Sequence, residues 1–422
     1  MAQLLDETGY QCTDQPEDAQ LLIVNTCGFI GPARAESMQA LHELAATKTN
    51  EQYLIAAGCL SQRYGHEIVK EVPGIDGILG TRRWMDIVEV IEKIQGRKNG
   101  QPLYHVPEVP TVGRDEKGAL RVAVEGNSAY LKIADGCRRP CAFCAIPLIK
   151  GTHVSRQPKD IIAEAQHLQS IGVKEIVLIS QDTTDYGHDI GIKNGLAYLL
   201  KNMVASVPDI PWIRIMYAYP GYVTDELIET MAFYPQIVPY LDMPLQHGHR
   251  QTLLRMKRPA NLEWVYSTID KMRKAIPDLA IRTTFIVGYP GETEAEFEAL
   301  LDFVEDLQFD RLGAFQFSFE QETTSAPLGD PIPQEIKEDR FARLMQLQQS
   351  ISLQKNQLFL GKTLDVLVEG NEDGISVGRS YRDAPEIDGT VIVEGDLPIG
   401  TISPVHITGA MAYDLTGMPI LS

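Results

Sequence analysis

The sequence predicts an α/β protein of three consecutive parts: an amino-terminal sheet domain, a partial (βα) barrel of the TIM-like kind, and a small antiparallel β-barrel. Three observations carry this. Short apolar runs alternate with amphipathic stretches from Met1 to about Arg97, and again from Tyr130 to Leu307. Residues 361–422 switch to short apolar runs punctuated by glycine. Cys137, Cys141 and Cys144 fall directly past the end of one apolar run, where α/β proteins collect function.

Residues 2–9 read as a helix ending at Gly9, so the first domain, residues 1–97, opens on a helix and lacks a first strand. Leu21–Asn25 and Tyr53–Ala57 are its predicted strands; Ala33–Thr47 and Trp84–Ile94 are its amphipathic segments. Residues 98–128 hold Gly100, Pro102, Pro107, Pro110, Gly113 and Gly118, a turn-rich linker with room for one short hairpin. Residues 129–355 form the second part. Its strands are expected at Tyr130–Ala134, Glu175–Ser180, Trp212–Tyr217, Tyr240–Met243, Ile281–Val287 and Gly313–Phe317, with helices at Pro158–Ser170, Asp225–Phe233, Leu262–Ala275 and Glu292–Leu307. Pro333–Leu360 reads as one long helix with Phe341, Leu344, Leu347, Ile351 and Leu358 on a stripe. Residues 356–422 supply five short strands, Thr363–Val368, Ile375–Gly378, Thr390–Val393, Val405–Gly409 and Ala412–Leu415, the pattern of an OB-like barrel.

The composition narrows the function. With 38 basic against 57 acidic residues the formal charge is −19, a poor match for a polyanionic partner and a better one for a basic partner. The same balance also serves solubility alone. The longest apolar runs, such as Leu21–Val24 and Ile176–Ile179, fall well short of the roughly 20 residues needed to cross a bilayer. Met1–Tyr10 carries Asp6 and Glu7 and no basic residue, unlike a secretory leader, so a cytoplasmic location is expected, where cysteines stay reduced and available as ligands.

Cys137, Cys141 and Cys144 form CxxxCxxC within GCRRPCAFC. Three thiolates on one tight loop can each hold one iron of a four-iron, four-sulfur cluster and leave the fourth iron without a protein ligand. An open iron can chelate the amino and carboxylate groups of S-adenosylmethionine and pass an electron to its sulfonium, giving a 5'-deoxyadenosyl radical. The competing readings are a structural zinc site, for which His153 is the nearby fourth donor, and unligated core cysteines. Cys27 in NTCGF and Cys59 in AAGCL each end a predicted strand, and could sit side by side at one sheet edge or pack as small buried residues. Cys12 lies in a polar turn and reads as incidental.

These motifs carry a resemblance over nearly the whole chain. NTCGFI, GCLSQRY and IADGCRRPCAFCAIP resemble the methylthiotransferases, radical S-adenosylmethionine enzymes with an amino-terminal cluster domain, a radical domain and a carboxyl-terminal TRAM domain. The resemblance implies two 4Fe-4S clusters, with Cys137, Cys141 and Cys144 holding one and Cys27 and Cys59 contributing to the other. The family's third amino-terminal cysteine precedes a helix ending in GY; this sequence begins at that helix, AQLLDETGY, so the second cluster is expected to lack one ligand within these residues.

Two branches of the family differ in substrate: one modifies adenosine in transfer RNA, the other, the RimO type, the β-carbon of an aspartate in ribosomal protein S-twelve. AIPLIKGTHVSR and GRSYRDAPEIDG resemble the protein-modifying branch. Residues 361–422 hold Lys362, Arg379 and Arg382 against ten acidic residues, the wrong sign for gripping RNA and a sensible one for docking a basic ribosomal protein. Transfer RNA is therefore the alternative substrate, and an electron donor such as flavodoxin or ferredoxin is implied. No catalytic residue is expected beyond the cluster ligands. By resemblance Phe143, Gln181, Asp182, Arg214, Gln246, His247, Thr284, Val287 and Gly288 surround S-adenosylmethionine, although a loop histidine such as His247 equally often serves packing.

Overall fold

The structure, a computed structural model, describes residues 1–97, 100–107 and 122–420. The chain divides into two compact units that interleave along the sequence. The first holds residues 1–120, 135–154 and 318–329; the second holds 121–134, 155–317 and 330–422. Much of the expected linker, 108–121, lies outside the described residues.

In the first unit α1 (Ala2–Asp6) precedes a four-stranded parallel sheet in the order β1 (Leu21–Thr26), β2 (Tyr53–Gly58), β3 (Gly77–Gly80), β4 (Leu103–His105). Strand β4 comes from the segment expected to be linker, so the sheet runs past the predicted boundary at residue 97; Leu103 is buried against β3 and its burial holds the strand there. Helices α2 (Gly31–Thr47), α3 (Cys59–Glu71) and α4 (Ile87–Gln95) complete the layers. Leu41, Leu54, Ala56, Leu60 and Ile68 pack one face, while Ile55, Ala57, Leu79, Val90 and Ile91 pack the other. Strands of a parallel sheet are buried on both faces, which is why Leu54–Ala57 is an unbroken apolar run. A short helix, α5 (Ile146–Lys150), follows the cysteine loop.

The second unit is built on a seven-stranded sheet. The hairpin β5 (Val122–Glu125) and β6 (Ser128–Lys132) is antiparallel; β7 (Glu175–Ile179), β8 (Trp212–Ile215), β9 (Ile237–Asp242), β10 (Ala280–Val287) and β11 (Arg311–Gln316) then follow in parallel. Helices α6 (Pro158–Ser170), α7 (Gly195–Ser206), α8 (Asp225–Phe233), α9 (Arg250–Arg255), α10 (Leu262–Ala275) and α11 (Glu294–Leu307) connect them. Alternate strand residues such as Ile213, Ile215, Ile281, Phe285 and Val287 join the helices in one apolar core. Thr293 starts α11 with a reciprocal cap: its hydroxyl accepts from Glu296 N–H while the Glu296 carboxylate accepts from Thr293 N–H at 3.0 Å. The sheet is open, so the barrel is partial, as the sequence pattern suggested.

The opposite sheet face meets the carboxyl-terminal domain. After α12 (Gln334–Gln357), strands β12 (Thr363–Glu372), β13 (Ile375–Ser380), β14 (Val391–Glu394), β15 (Ile402–Ala410) and β16 (Leu415–Pro419) close a five-stranded barrel. The pairs are antiparallel but for β14 with β16, which is parallel and is how the ring closes. Val366, Val391, Val393, Val405 and Ile407 fill it. Its loop between β13 and β14 inserts charged side chains among the strand residues of the large sheet, described below.

Candidate active site

Both cysteine sets lie in the first unit. Strands β1 and β2 are in register from Leu21 with Tyr53 to Thr26 with Gly58, so Cys27 and Cys59 leave the sheet at the same carboxyl edge. Thr26 Oγ1 donates to Ala57 O at 2.8 Å and sits 3.3 Å from Ser61 Oγ, tying the two strand ends together. Gly58 has φ +119, and a Cβ there would stand 2.5 Å from Thr26 O. Only glycine lets β2 turn straight into α3 at this point. Cys27 is exposed and its N–H donates to Ser37 Oγ at 2.9 Å; Cys59 is partly buried, and Cys12 is exposed elsewhere.

The CxxxCxxC loop is bracketed by Asp135 and Lys150, which pair at 3.2 Å. Burial pushes the Cys59 thiol up in pKa, Lys150 opposes that, and Cys27 and Asp135 add to it. Cys59 is thus within electrostatic reach both of Cys27 and of the two residues that flank the loop. Backbone geometry fixes the loop itself. Gly136 has φ +72, where a Cβ would lie 2.1 Å from Thr152 O, and Cys137 N–H donates to Gly151 O at 3.1 Å. Cys144 N–H closes a turn on Cys141 O at 3.1 Å, and Arg139 N–H points at Cys137 Sγ at 3.4 Å. Such N–H donors stabilise thiolate charge and tune a cluster.

Neighbouring segments of the same unit hold the loop from outside. Arg82 donates to Ile149 O at 2.8 Å and to Leu148 O at 2.9 Å, anchoring α5. Ser325 N–H donates to Ala142 O at 2.9 Å, and Glu320 pairs with Arg63 at 2.7 Å. All six cysteines are outside disulfides. Among the described residues no three His, Cys, Asp or Glu side chains converge on one point suited to a single metal ion. Three thiols from one loop, one of them met by a backbone N–H, are the donor set that an iron-sulfur cluster takes.

The remaining predicted residues, Phe143 apart, lie in the second unit. Phe143 sits between Cys141 and Cys144 in the loop and is half-buried. Gln181 is half-buried past β7, with its Oε1 enclosed and unbonded. Gln246 extends β9 by one bridge: its N–H donates to Thr284 O at 2.8 Å and its carbonyl accepts from Ile286 N–H at 2.9 Å. It does so at φ +75, an uncommon backbone for glutamine and the sort that collects at functional strand ends. Val287 is buried, and Gly288, φ +72, turns where a Cβ would lie 2.4 Å from Lys337 Cγ.

Three further residues expected around the cofactor are held by protein partners. Arg214 is 0% exposed: its Nε donates to Glu175 Oε1 and its Nη1 to Tyr381 O, both at 2.7 Å, and its guanidinium stacks 4.5 Å from the Tyr240 ring centroid. Its strand position faces the carboxyl-terminal barrel. His247 is also 0% exposed, with Nε2 2.9 Å from Glu292 Oε1 and Nδ1 accepting from His249 N–H at 2.9 Å. That fixes the proton on Nε2, and burial holds its pKa below the ordinary value. Asp182 caps a single turn, accepting from Thr184 Oγ1 at 2.6 Å and Asp185 N–H at 3.2 Å.

A residue the sequence reading passed over explains why His247 is there. Glu292 accepts from His247, from Gly288 N–H in a short bond, and from Arg340 Nη1 at 2.9 Å. It is the organiser of the GYPGE turn at the carboxyl end of β10. The signal available was a glutamate four residues past a turn glycine.

Residues 131–304 match the Radical SAM superfamily, residues 360–420 the TRAM domain, and residues 1–80 the uncharacterized protein family UPF0004. The chain is 48% identical to the ribosomal protein uS12 methylthiotransferase RimO of Chloroflexus aurantiacus, covering 98% of this chain and 94% of that protein. Identity to the RimO of a Roseiflexus species is 46%, covering 99% and 93%, and to that of a Thermoanaerobacter species 44%, covering 99% and 95%. Among solved structures, the radical S-adenosylmethionine methyltransferase TsrM from Kitasatospora setae, with cobalamin and a [4Fe-4S] cluster bound, shares the fold with a TM-score of 0.53 at 14% identity, over 85% of this chain and 69% of that one. The three domain matches in this order, together with near full-length identity well above 40%, place the chain in the RimO family of ribosomal protein uS12 methylthiotransferases, which are radical S-adenosylmethionine enzymes.

Proposed function

We propose that this chain adds a methylthio group to the β-carbon of an aspartate of ribosomal protein uS12. Cys137, Cys141 and Cys144 hold a 4Fe-4S cluster with one open iron, and Cys27 and Cys59 are two ligands of a second cluster. When bound, the first cluster and S-adenosylmethionine supply the radical that removes hydrogen from the substrate carbon. The observation that carries this reading is the single compact unit containing both cysteine sets, with Cys27 and Cys59 leaving paired strands at the same sheet edge. The protein's part is to hold the thiols in place, which the Gly58, Gly136 and Cys137–Gly151 backbone contacts do. Phe143 remains proposed for adenine contact. In the second unit Gln181, Gln246, Thr284, Val287 and Gly288 remain proposed cofactor residues, held by Glu292 and the Gln246 bridge.

The surface of the carboxyl-terminal barrel supports a basic protein as substrate. Of its three basic residues, Arg379 and Arg382 are turned inward onto Glu175 and Asp310, leaving Lys362 exposed. Asp365, Glu369, Glu372, Asp373, Glu386, Glu394 and Asp396 are all exposed. Such a face attracts a cationic protein and repels nucleic acid. No helix among the described residues is long and apolar enough to cross a membrane, in keeping with work on ribosomes in the cytoplasm and with a soluble donor such as flavodoxin or ferredoxin. The test is anaerobic incubation of reconstituted protein with uS12, S-adenosylmethionine and reductant. Mass spectrometry should find methylthio-aspartate in uS12; modification of transfer RNA adenosine instead would overturn the reading.

A further inference from the structure

On β10 the side chains alternate. Ile281, Phe285 and Val287 enter the helix-covered core, whereas Arg282, Thr284 and Ile286 lie on the other sheet face and are only partly covered. Arg282 is held on two sides. Its Nη1 donates to Asp242 Oδ1 at 2.9 Å and to Thr284 Oγ1 at 3.3 Å, and its Nε lies 3.3 Å from Asp388 Oδ1. Asp388 is fixed in turn by Tyr240 Oη at 2.6 Å and Ala384 N–H at 2.9 Å. The Nη2 edge takes part in none of these bonds, and the side chain keeps 14% of its surface open.

The next strand leaves that edge uncovered. Thr284 is in register with Gly313, and a methyl on Gly313 would stand 3.3 Å from Arg282 Nη2 and 3.8 Å from Thr284 Oγ1. Gly313 does not have a positive φ, so its backbone does not require glycine; the missing side chain is space in front of the guanidinium. Tyr217 borders the same place. It is 43% exposed at φ +59, pinned by its N–H to Asp242 Oδ2 at 3.1 Å and by its carbonyl accepting from Thr183 N–H.

We infer that Arg282, with Thr284 beside it and the space over Gly313, binds the side-chain carboxylate of the aspartate to be modified and sets the preference for aspartate over asparagine. This rests on the proposed function and names the substrate-recognition residue within it. A guanidinium fixed on two edges and open on the third is pre-organised for one more carboxylate oxygen, and planar forks favour that partner. An asparagine amide can turn its Oδ1 to the same edge but brings no negative charge, and a charge-assisted bond is roughly twice as strong as a neutral one. The charges facing the site are Arg282 and Arg311, with Asp242, Asp383 and Asp388, and Tyr217 and Tyr240 bordering them. Burial raises the pKa of Asp242 even beside Arg282.

The test uses the full chain, reconstituted anaerobically, with two synthetic uS12 peptides, one carrying the target aspartate and one asparagine in its place. For R282Q the KM for the aspartate peptide should rise about ten- to hundredfold with a smaller change in kcat, and the preference over asparagine should shrink toward parity. R282K, with charge but no fork, should fall between. G313A leaves every Arg282 ion pair in place and should raise the same KM by several-fold, so it decides the matter if R282Q does not fold. Wild-type KM and wild-type preference in R282Q and G313A overturn the inference alone. Failure of the unaltered protein to modify the aspartate peptide overturns the proposed function, and this inference with it, before any variant is made.

Discussion

Arg379 of the carboxyl-terminal barrel donates from Nη2 to the Glu175 carboxylate at 2.7 Å, and Arg214 of the neighbouring strand holds the other oxygen of the same group at the same distance. Glu175 is 0% exposed, so one buried carboxylate answers two buried guanidinium groups from different domains. Arg311 with Asp383 and Arg382 with Asp310 repeat the pattern along the same interface. Each pair is expensive to bury and more expensive to break.

Replacing Glu175 with glutamine should therefore destabilise the second unit by about 3–5 kcal/mol, since it leaves two cations without their shared partner. Scanning calorimetry should show the melting temperature fall by roughly 10 °C. Limited proteolysis should release the carboxyl-terminal barrel sooner than in the unaltered protein. An unchanged melting profile would refute the weight given to this carboxylate.

Acid should attack the same joint. Burial alone would push the Glu175 pKa up, but Arg214 and Arg379 outweigh it and hold it at about 2. An unfolded glutamate titrates near 4.3, so the unfolded chain binds the extra proton first. The stabilisation, on the order of 3 kcal/mol, is complete above about pH 5 and is lost as pH falls toward 2. Denaturant titrations across that window should show a steep loss in the native protein and a shallower one in E175Q.

The Gly288 turn depends on Glu292. E292Q keeps the shape but removes the charge facing Arg340 and His247, and should weaken S-adenosylmethionine binding about tenfold. Calorimetric titration of the reconstituted protein measures this. His247→Ala should act in the same direction, because it removes the Glu292 partner.

The two cysteine sets should separate by readout. Cys141→Ala should lose iron and abolish 5'-deoxyadenosine formation. Cys59→Ser should lose a smaller share of iron and retain 5'-deoxyadenosine while failing to make the methylthio product. Retained product in C59S would show that Cys59 is not a ligand.

Gly58→Ala tests the strand-end geometry directly. With φ +119 and Thr26 O at 2.5 Å, a methyl must displace either β1 or the start of α3. A loss of at least about 2 kcal/mol in first-unit stability is expected, with reduced iron uptake.

Much was legible in the residues themselves. Two stretches of alternating apolar runs set the sheet layers, glycine punctuation set the terminal barrel, and CxxxCxxC after a strand set the chemistry, because each depends on spacing along a few neighbouring residues. Strand Leu103–His105 was not legible: three residues in a proline-rich stretch carry no period, and their pairing comes from the exposed edge of β3.

What the tertiary structure alone decided was which polar side chains meet. Arg214 lies within an expected strand and His247 just past one, yet their partners Glu175, Tyr381 and Glu292 lie 39, 167 and 45 positions away. Local pattern encodes which face a residue takes, since that follows from backbone periodicity. It does not encode the partner, because a buried charge is satisfied by whatever opposite group the packing of distant strands brings within 3 Å.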